Sequence, residues 1–316
     1  QTVDVEYRDV SRRLSNIETR LTMGAQADDS AMAPAQPQDP DDQNTAVMNM
    51  VENAVGQRYT LEGELGRGGM GVIYLARDTQ LDRPVALKFL GSLVDGSAEY
   101  RQRFVREAQA AAKVSHPNVV SIYDISATEG RAYIAMEYVD GPNLHKYLRR
   151  KKRLEPREAV NIIGQACAAL AAVHEHDIVH RDIKPENILL GKGGLVKLMD
   201  FGLAKGQGAR LTGTNVVMGT PCYMAPEQCR GDEVDARTDI YALGLVLHEL
   251  LTGKTVFADG DVLQRQQTEE APAPSAVVGD IPPELDALVM KCVAKDPAQR
   301  FQSSKELLKA LRGVLQ

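Results

Sequence analysis

His180-Arg181-Asp182-Ile183-Lys184-Pro185-Glu186-Asn187, followed eighteen positions after Asp182 by Asp200-Phe201-Gly202, decides the reading of this chain. In a fixed order it sets out a carboxylate, a cation two residues on, and two oxygen donors, Asn187 and Asp200, of the kind a hard divalent cation takes. A single motif of this length can arise by chance. The two together point to phosphoryl transfer, a reaction carried by positioning and charge stabilisation.

Working outward, Gly66-Arg67-Gly68-Gly69-Met70-Gly71 fits G-x-G-x-x-G, a pattern shared with dinucleotide-binding folds. Context separates the two. Tyr59 to Leu65, Val72 to Arg77 and Val85 to Phe89 read as strands of an antiparallel sheet, whereas the dinucleotide pattern joins a strand to a helix in a parallel unit. A helix follows from about Ser97 to Val114, then strands over Val119 to Ser126 and Arg131 to Glu137. From Asn143 on, helices dominate. Pro156 opens one whose buried stripe is Val160, Ile163, Cys167, Leu170 and Val173; Arg237 to Leu251 is almost wholly apolar, and Ser303 with Glu306 has capping-box spacing.

With Val85-Ala86-Leu87-Lys88 added, the chain from about Tyr59 to Leu315 resembles a protein kinase, specifically the bacterial eukaryotic-like (Hanks-type) serine/threonine kinases. The resemblance implies an α+β, bilobal fold. A five-stranded antiparallel small lobe with one main helix (about 59–137) stands over a large α-helical lobe (about 143–315), with ATP and Mg2+ in the cleft.

Carried over residue by residue, the family pattern makes Asp182 the base for the acceptor hydroxyl and Lys184 the cation on the moving phosphoryl, the serine/threonine-type signature. Asn187 and Asp200 become the metal ligands. The backbone of Gly66, Gly68 and Gly71 closes over the phosphates, and Lys88 holds them while pairing with a helix glutamate, Glu107 as the better match or Glu99. Ile73, Ala86 and Leu189 sandwich the adenine, with Met136 as gatekeeper and Glu137 to Val139 as hinge. A strand lysine is otherwise an edge residue, an aspartate before glycine a turn former, and a buried methionine a core filler. His180 reads as an internally bonded core histidine and Phe201 as an apolar plug, while Glu227, Arg300 and Asp239 are scaffold. Arg181 before Asp182 implies regulation through a phosphorylated loop, with Thr212 and Thr214 the phosphorylation sites and Thr220 facing the acceptor.

At 316 residues, 43% hydrophobic and 25% charged, the chain can bury a sizeable core. Its net charge of -6 is concentrated: residues 24–50 hold Asp28, Asp29, Asp39, Asp41 and Asp42 without a base, and residues 1–23 balance four acids with four bases, leaving -1 for the rest. Neither a nucleic-acid partner nor a membrane surface follows from that field. Val3, Tyr7, Val10, Leu14, Ile17 and Leu21 have a/d spacing, so residues 1–23 read as a short amphipathic or coiled-coil helix, either supporting a weak homodimer or packing loosely. Residues 24–53, acidic and rich in Pro and Ala, read as a flexible linker.

Cys167, Cys222, Cys229 and Cys292 lack metal-ligand spacing and read as reduced cytoplasmic thiols, Cys222 and Cys229 being close enough in sequence for an oxidative switch. No apolar run is long enough to span a membrane. The chain opens on Gln1 and is expected to be a piece of a longer protein. The basic run Arg149 to Arg153 reads as a loop between helices, either solvated or docking an acidic partner. The function expected is ATP-dependent phosphorylation of serine and threonine on protein substrates in signalling, including autophosphorylation. A rival is a nucleotide-binding scaffold that signals by conformation, against which the intact Lys88, Asp182, Asn187 and Asp200 weigh.

Overall fold

A computed structural model describes residues 58–68, 71–90, 98–128, 131–200 and 221–314. The expected N-terminal helix and linker, Phe201, Thr212, Thr214 and Thr220 lie outside these residues. The small lobe is a five-stranded antiparallel sheet of β1 (Tyr59–Gly68), β2 (Gly71–Asp78), β3 (Arg83–Leu90), β4 (Ile122–Thr128) and β5 (Arg131–Glu137), in spatial order β1-β2-β3-β5-β4, with α1 (Ala98–Ala111) between β3 and β4.

Strand alternation divides this lobe into two apolar faces. Val85, Leu87 and Phe89 of β3 join Tyr133 and Ala135 of β5, Tyr59 and Tyr74 on the outer face, where the Phe89 and Tyr133 ring centroids are 5.7 Å apart. Ala86 joins Ile134 and Met136 on the inner face, packed against Phe104 and Ala108 of α1. Lys88, two residues after Ala86, therefore shares the face that meets α1 and the cleft.

The large lobe follows as α2 (Leu144–Lys151), α3 (Pro156–His174), the hairpin β6 (Ile188–Leu190) and β7 (Val196–Leu198), α4 (Pro226–Arg230), α5 (Ala236–Thr252), α6 (Val262–Thr268), α7 (Pro274–Val277), α8 (Pro283–Cys292) and α9 (Ser304–Val314). Every residue of α5 from Thr238 to Thr252 is buried, as a helix apolar on all sides requires. It starts on the Asp235 side chain, which accepts from the Arg237 amide, and stops at Gly253 with φ 72°.

Two local expectations shift. The basic run is not a loop: Arg149 to Lys151 form the exposed last turn of α2, where cations complement the carbonyl end, and Lys152 and Arg153 lie just beyond it. Ser303 Oγ does accept from the Glu306 amide at 3.2 Å, but Glu306 reaches back to the Gln302 amide rather than to Ser303's own.

The lobes meet at residues 137–143, where the chain runs tight against β6. The Leu190 amide donates to Pro142 O at 2.9 Å, and a Cβ on Gly141 would stand 1.8 Å from Leu190 O. Gly141→Ala is therefore expected to destabilise the domain by about 1–3 kcal/mol. Gly164→Ala, in the middle of α3 with nothing within 4 Å of the added carbon, is expected to stabilise it by up to about 1 kcal/mol. Urea unfolding of the two variants checks the opposite signs.

Candidate active site

Asp182 sits in the loop after α3, and the structure brings its expected companions to it. Lys184 Nζ lies 2.9 Å from Asp182 Oδ2, and Asn187 Nδ2 donates to the same oxygen at 3.1 Å and to Asp182 O at 2.8 Å. The carboxylate is thus held in one rotamer. Because the Asn187 amide nitrogen is spent on Asp182, its amide oxygen is left for another partner.

This loop is shaped from below by Asp239 on α5. One Asp239 oxygen accepts from the His180 amide at 2.8 Å, and the other from the Arg181 amide at 2.8 Å. His174 Nε2, in the last turn of α3, donates 2.8 Å to Asp239 Oδ2, while its Nδ1 is bonded to Ser304 Oγ at 3.0 Å. Arg181 carries φ 65°, a left-handed conformation uncommon for a non-glycine residue, and the bonds to Asp239 hold it there. His180 is fully buried. Its Nε2 donates to Met199 O at 2.9 Å and its Nδ1 accepts from the Asp182 amide at 3.3 Å, so it is the neutral tautomer. Burial pushes its pKa below the ordinary histidine value in the same sense.

Asp200 follows β7, also with positive φ, 63°. Its Oδ1 lies 2.7 Å from Lys88 Nζ across the cleft, with both side chains largely enclosed. That oxygen is shut off from solvent and, among the described residues, accepts no well-directed hydrogen bond, so its contact with Lys88 is one of charge. The helix α1 carries positions 99 and 107, but the side chains of Glu99 and Glu107 lie outside the described residues.

Ile73, Val139 and Leu189 pack against the cluster that holds Ala86, Met136 and Met199, so the residues expected around adenine form one apolar surface at the mouth of the cleft. The Glu137 amide already donates to Ser121 O at 2.8 Å, which removes it as a donor to a base. Gly66, Gly68 and Gly71 fall where β1 turns into β2, Gly68 facing Gly71 across the hairpin.

On the other side of Asp182 a crevice is lined by Arg181, Asp182, Lys184, Tyr223, Met224 and Gln228. Its outer wall, residues 221–227, is anchored by Glu227, whose two oxygens take Arg300 Nη1 at 2.7 Å and Nη2 at 2.9 Å. Thr238 Oγ1 adds a third donor at 2.8 Å. Burial alone would raise the Glu227 carboxyl, but the guanidinium and hydroxyl outweigh it and hold the group below its usual range.

A protein kinase domain model matches residues 59–310. The chain belongs to the protein kinase family. The serine/threonine-protein kinase PknB of Mycolicibacterium smegmatis is 44% identical over 264 residues, covering 80% of this chain and 42% of that protein. PrkC of Bacillus subtilis is 40% identical over 263 residues, covering 82% and 40%. Among solved structures, the Mycobacterium tuberculosis PknI kinase domain is similar at 30% identity and TM-score 0.68, covering 81% of this chain and 96% of that one. The kinase domain here is thus of the bacterial Hanks type, and the chain spans about two fifths of the length of the curated relatives it matches.

Several residues that hold this kinase site have no sequence signal of their own. Lys197 on β7 is buried and ion-paired 2.8 Å from Glu137, with Val119 O also in reach at 3.3 Å. Gln228 Nε2 caps Arg181 O at 3.0 Å, tying the outer wall of the crevice to the catalytic loop. Asn118 donates to Val196 O at 2.7 Å and to Gln165 at 3.0 Å, fixing the β6–β7 hairpin. Each of these pairs is separated by 47 residues or more, and Gln165 also accepts from the Val196 amide, 31 residues away. Cys222 and Cys229 are not bridged to each other, and burial raises the Cys222 thiol above its ordinary pKa, away from the thiolate an oxidative switch needs.

Glu227 gives a pH signature. Its folded carboxyl is the stronger acid, so the pair stabilises the domain fully above the ordinary glutamate pKa of about 4.3, and that contribution is lost as pH falls through the lower folded value. Glu227→Gln is expected to flatten the acid limb of a stability-against-pH curve. Arg300→Met, which strands the buried carboxylate, is expected to cost about 3–5 kcal/mol at pH 7. Denaturant titrations from pH 3 to 7 measure both.

Proposed function

We propose that this domain transfers the γ-phosphate of ATP to serine and threonine hydroxyls of protein substrates, in signalling and on its own activation segment. The observation that carries the reading is Asp182 held by Lys184 and Asn187 across from the Lys88–Asp200 pair. Each charge the reaction needs has a residue at hand.

Asp182, fixed in one rotamer, accepts or orients the proton of the attacking hydroxyl, which enters from the crevice under Tyr223 and Met224. Lys184 is placed to offset negative charge on the moving phosphoryl. Lys88 holds the phosphates of ATP, and Ile73, Ala86, Val139 and Leu189 supply the apolar walls for its base. The donor set fits a magnesium ion: the buried Asp200 Oδ1 lacks a directed hydrogen bond among the described residues, and the Asn187 amide oxygen is available beside Asp182. Two protein oxygens with the rest of the shell from phosphate and water is the usual arrangement for that ion. When bound, it neutralises phosphate charge and orients the γ-group.

Regulation in this reading runs through residues 203–224, with Arg181 next to the base and Thr212 and Thr214 as phosphate acceptors. Phosphorylation would add about -1.5 to -2 charge at each. Residues 1–23 form a weak dimerisation element that raises the rate of autophosphorylation between copies. Among the described residues no helix is long and apolar enough to cross a membrane, and the four cysteines form no disulfide. Both support a cytoplasmic kinase domain.

Asp182→Asn is expected to lower kcat by ~10²–10⁴-fold, and Asp200→Asn to abolish magnesium-dependent transfer, with thermal melts within a few degrees of wild type. Radiolabelled ATP assays with phosphosite mapping read both, and near-wild-type rates in folded Asp200→Asn would sink the mechanism. Thr212→Ala with Thr214→Ala should lower activity and phosphate stoichiometry together. For the N-terminal segment, the full chain should sediment with a concentration-dependent dimer fraction that a chain starting at Val51 lacks.

A further inference from the structure

The crevice wall at Pro221–Tyr223 is held by a second device that the catalytic motifs do not include. Gln266, on α6, has no exposed surface. Its side-chain Nε2 donates to Cys222 O at 2.6 Å and Pro221 O at 3.3 Å. Its Oε1 accepts from the Tyr241 hydroxyl at 2.6 Å, and its backbone carbonyl accepts from Lys295 Nζ at 2.9 Å. Lys295 Nζ also donates to the Tyr241 oxygen at 3.1 Å and lies 4.5 Å from the centroid of the Phe257 ring. One polar chain therefore runs from Lys295 through Tyr241 and Gln266 to two carbonyls of the crevice wall.

The same turn that supplies Lys295 supplies the other anchor. Arg300 grips Glu227 and donates through Nη2 to the carbonyl of Lys295 at 3.1 Å. The crevice wall is thus fastened at both ends from residues 295–300: directly at Glu227, and through Gln266 at Pro221 and Cys222. Between the fastenings stand Tyr223 and Met224, which line the crevice beside Asp182. Both carbonyls bonded by Gln266 belong to a backbone that makes few hydrogen bonds of its own, since Pro221–Tyr223 is a single 3-10 turn.

We propose that Gln266 and Lys295 are positioning residues for the protein acceptor, setting the crevice wall at Pro221–Tyr223 without touching ATP. This rests on the kinase reading above. A half-buried ammonium is costly to maintain, and desolvation lowers Lys295 to about 8. Its two hydrogen bonds, the Phe257 ring and the nearby Glu270 and Glu269 carboxylates offset that cost. Nothing in the network lies on the nucleotide side of Asp182, so its loss weakens acceptor binding selectively.

The test compares Gln266→Met, which keeps volume and removes both donors, with Lys295→Met and with Gln264→Met, an exposed position on the same helix. Steady-state kinetics are measured on the full chain with dephosphorylated casein as acceptor, titrating casein and ATP separately, and folding is followed by thermal melts. Gln266→Met is expected to raise the KM for casein about tenfold and to leave the KM for ATP within about twofold. Lys295→Met should move the same constant in the same direction. The double variant should add little to Gln266→Met alone, because the two act in one chain, and Gln264→Met should match wild type.

Should Gln266→Met fail to fold, Tyr241→Phe removes only the hydroxyl between Lys295 and Gln266 and carries the same expectation. An unchanged casein KM in folded variants, or casein and ATP constants rising together, overturns the inference alone. A wild-type chain that transfers nothing from ATP to casein is a different result. It overturns the kinase reading, and the inference with it.

Discussion

The Asp239 carboxylate is the contact on which the rest of the site depends. Buried at the start of the most enclosed helix, α5, it takes the amides of His180 and Arg181 and the imidazole of His174. A carboxylate that accepts three donors satisfies its own desolvation, and in doing so it turns a loop into a rigid platform. Asp182 inherits that rigidity. Everything Asp182 touches, Lys184 and Asn187 included, is placed relative to a backbone whose conformation is dictated from the core of the large lobe.

Two strained residues mark where this control is exercised. Arg181 and Asp200 both adopt left-handed backbone conformations without being glycine. Conformations of that kind cost of order 1–3 kcal/mol and persist where the surroundings over-determine them. For Arg181 the surroundings are Asp239 below and Gln228 on its carbonyl. For Asp200 they are the β6–β7 hairpin before it and Lys88 in front. The small lobe contributes by strand alternation, which puts Lys88 on the same face as Ala86 and aims the cation across the cleft.

The chemistry-bearing residues were legible because they are local. Asp182, Lys184 and Asn187 sit within six positions, so their spacing alone brings them together, and the period-two pattern of Val85 to Phe89 reveals which face Lys88 takes. Contacts that close over long separations left no such trace. Glu227 with Arg300 was carried by family resemblance rather than by spacing, since 73 residues part them. Lys197 reads in sequence as one more strand cation, and only the fold shows it buried against Glu137. The basic run at Arg149 was misread as a loop because seven consecutive cationic or leucine positions, 148–154, mask the Asn143 cap, whose side chain accepts from the Lys146 amide and starts α2.

The Lys197–Glu137 pair also bears on how the two lobes can move. Glu137 is fastened at its side chain by Lys197 and at its amide by Ser121. Four residues on, Gly141 is pressed against Leu190 with no room for even a methyl group. Rotational freedom between the lobes is thereby concentrated in Tyr138, Val139 and Asp140. If a nucleotide base is held against Val139 as proposed, it would occupy the pivot itself, so that occupancy and the opening angle of the cleft would become one coordinate, and a ligand stiffening those three residues would set the reach of Lys88 toward Asp200 from a distance.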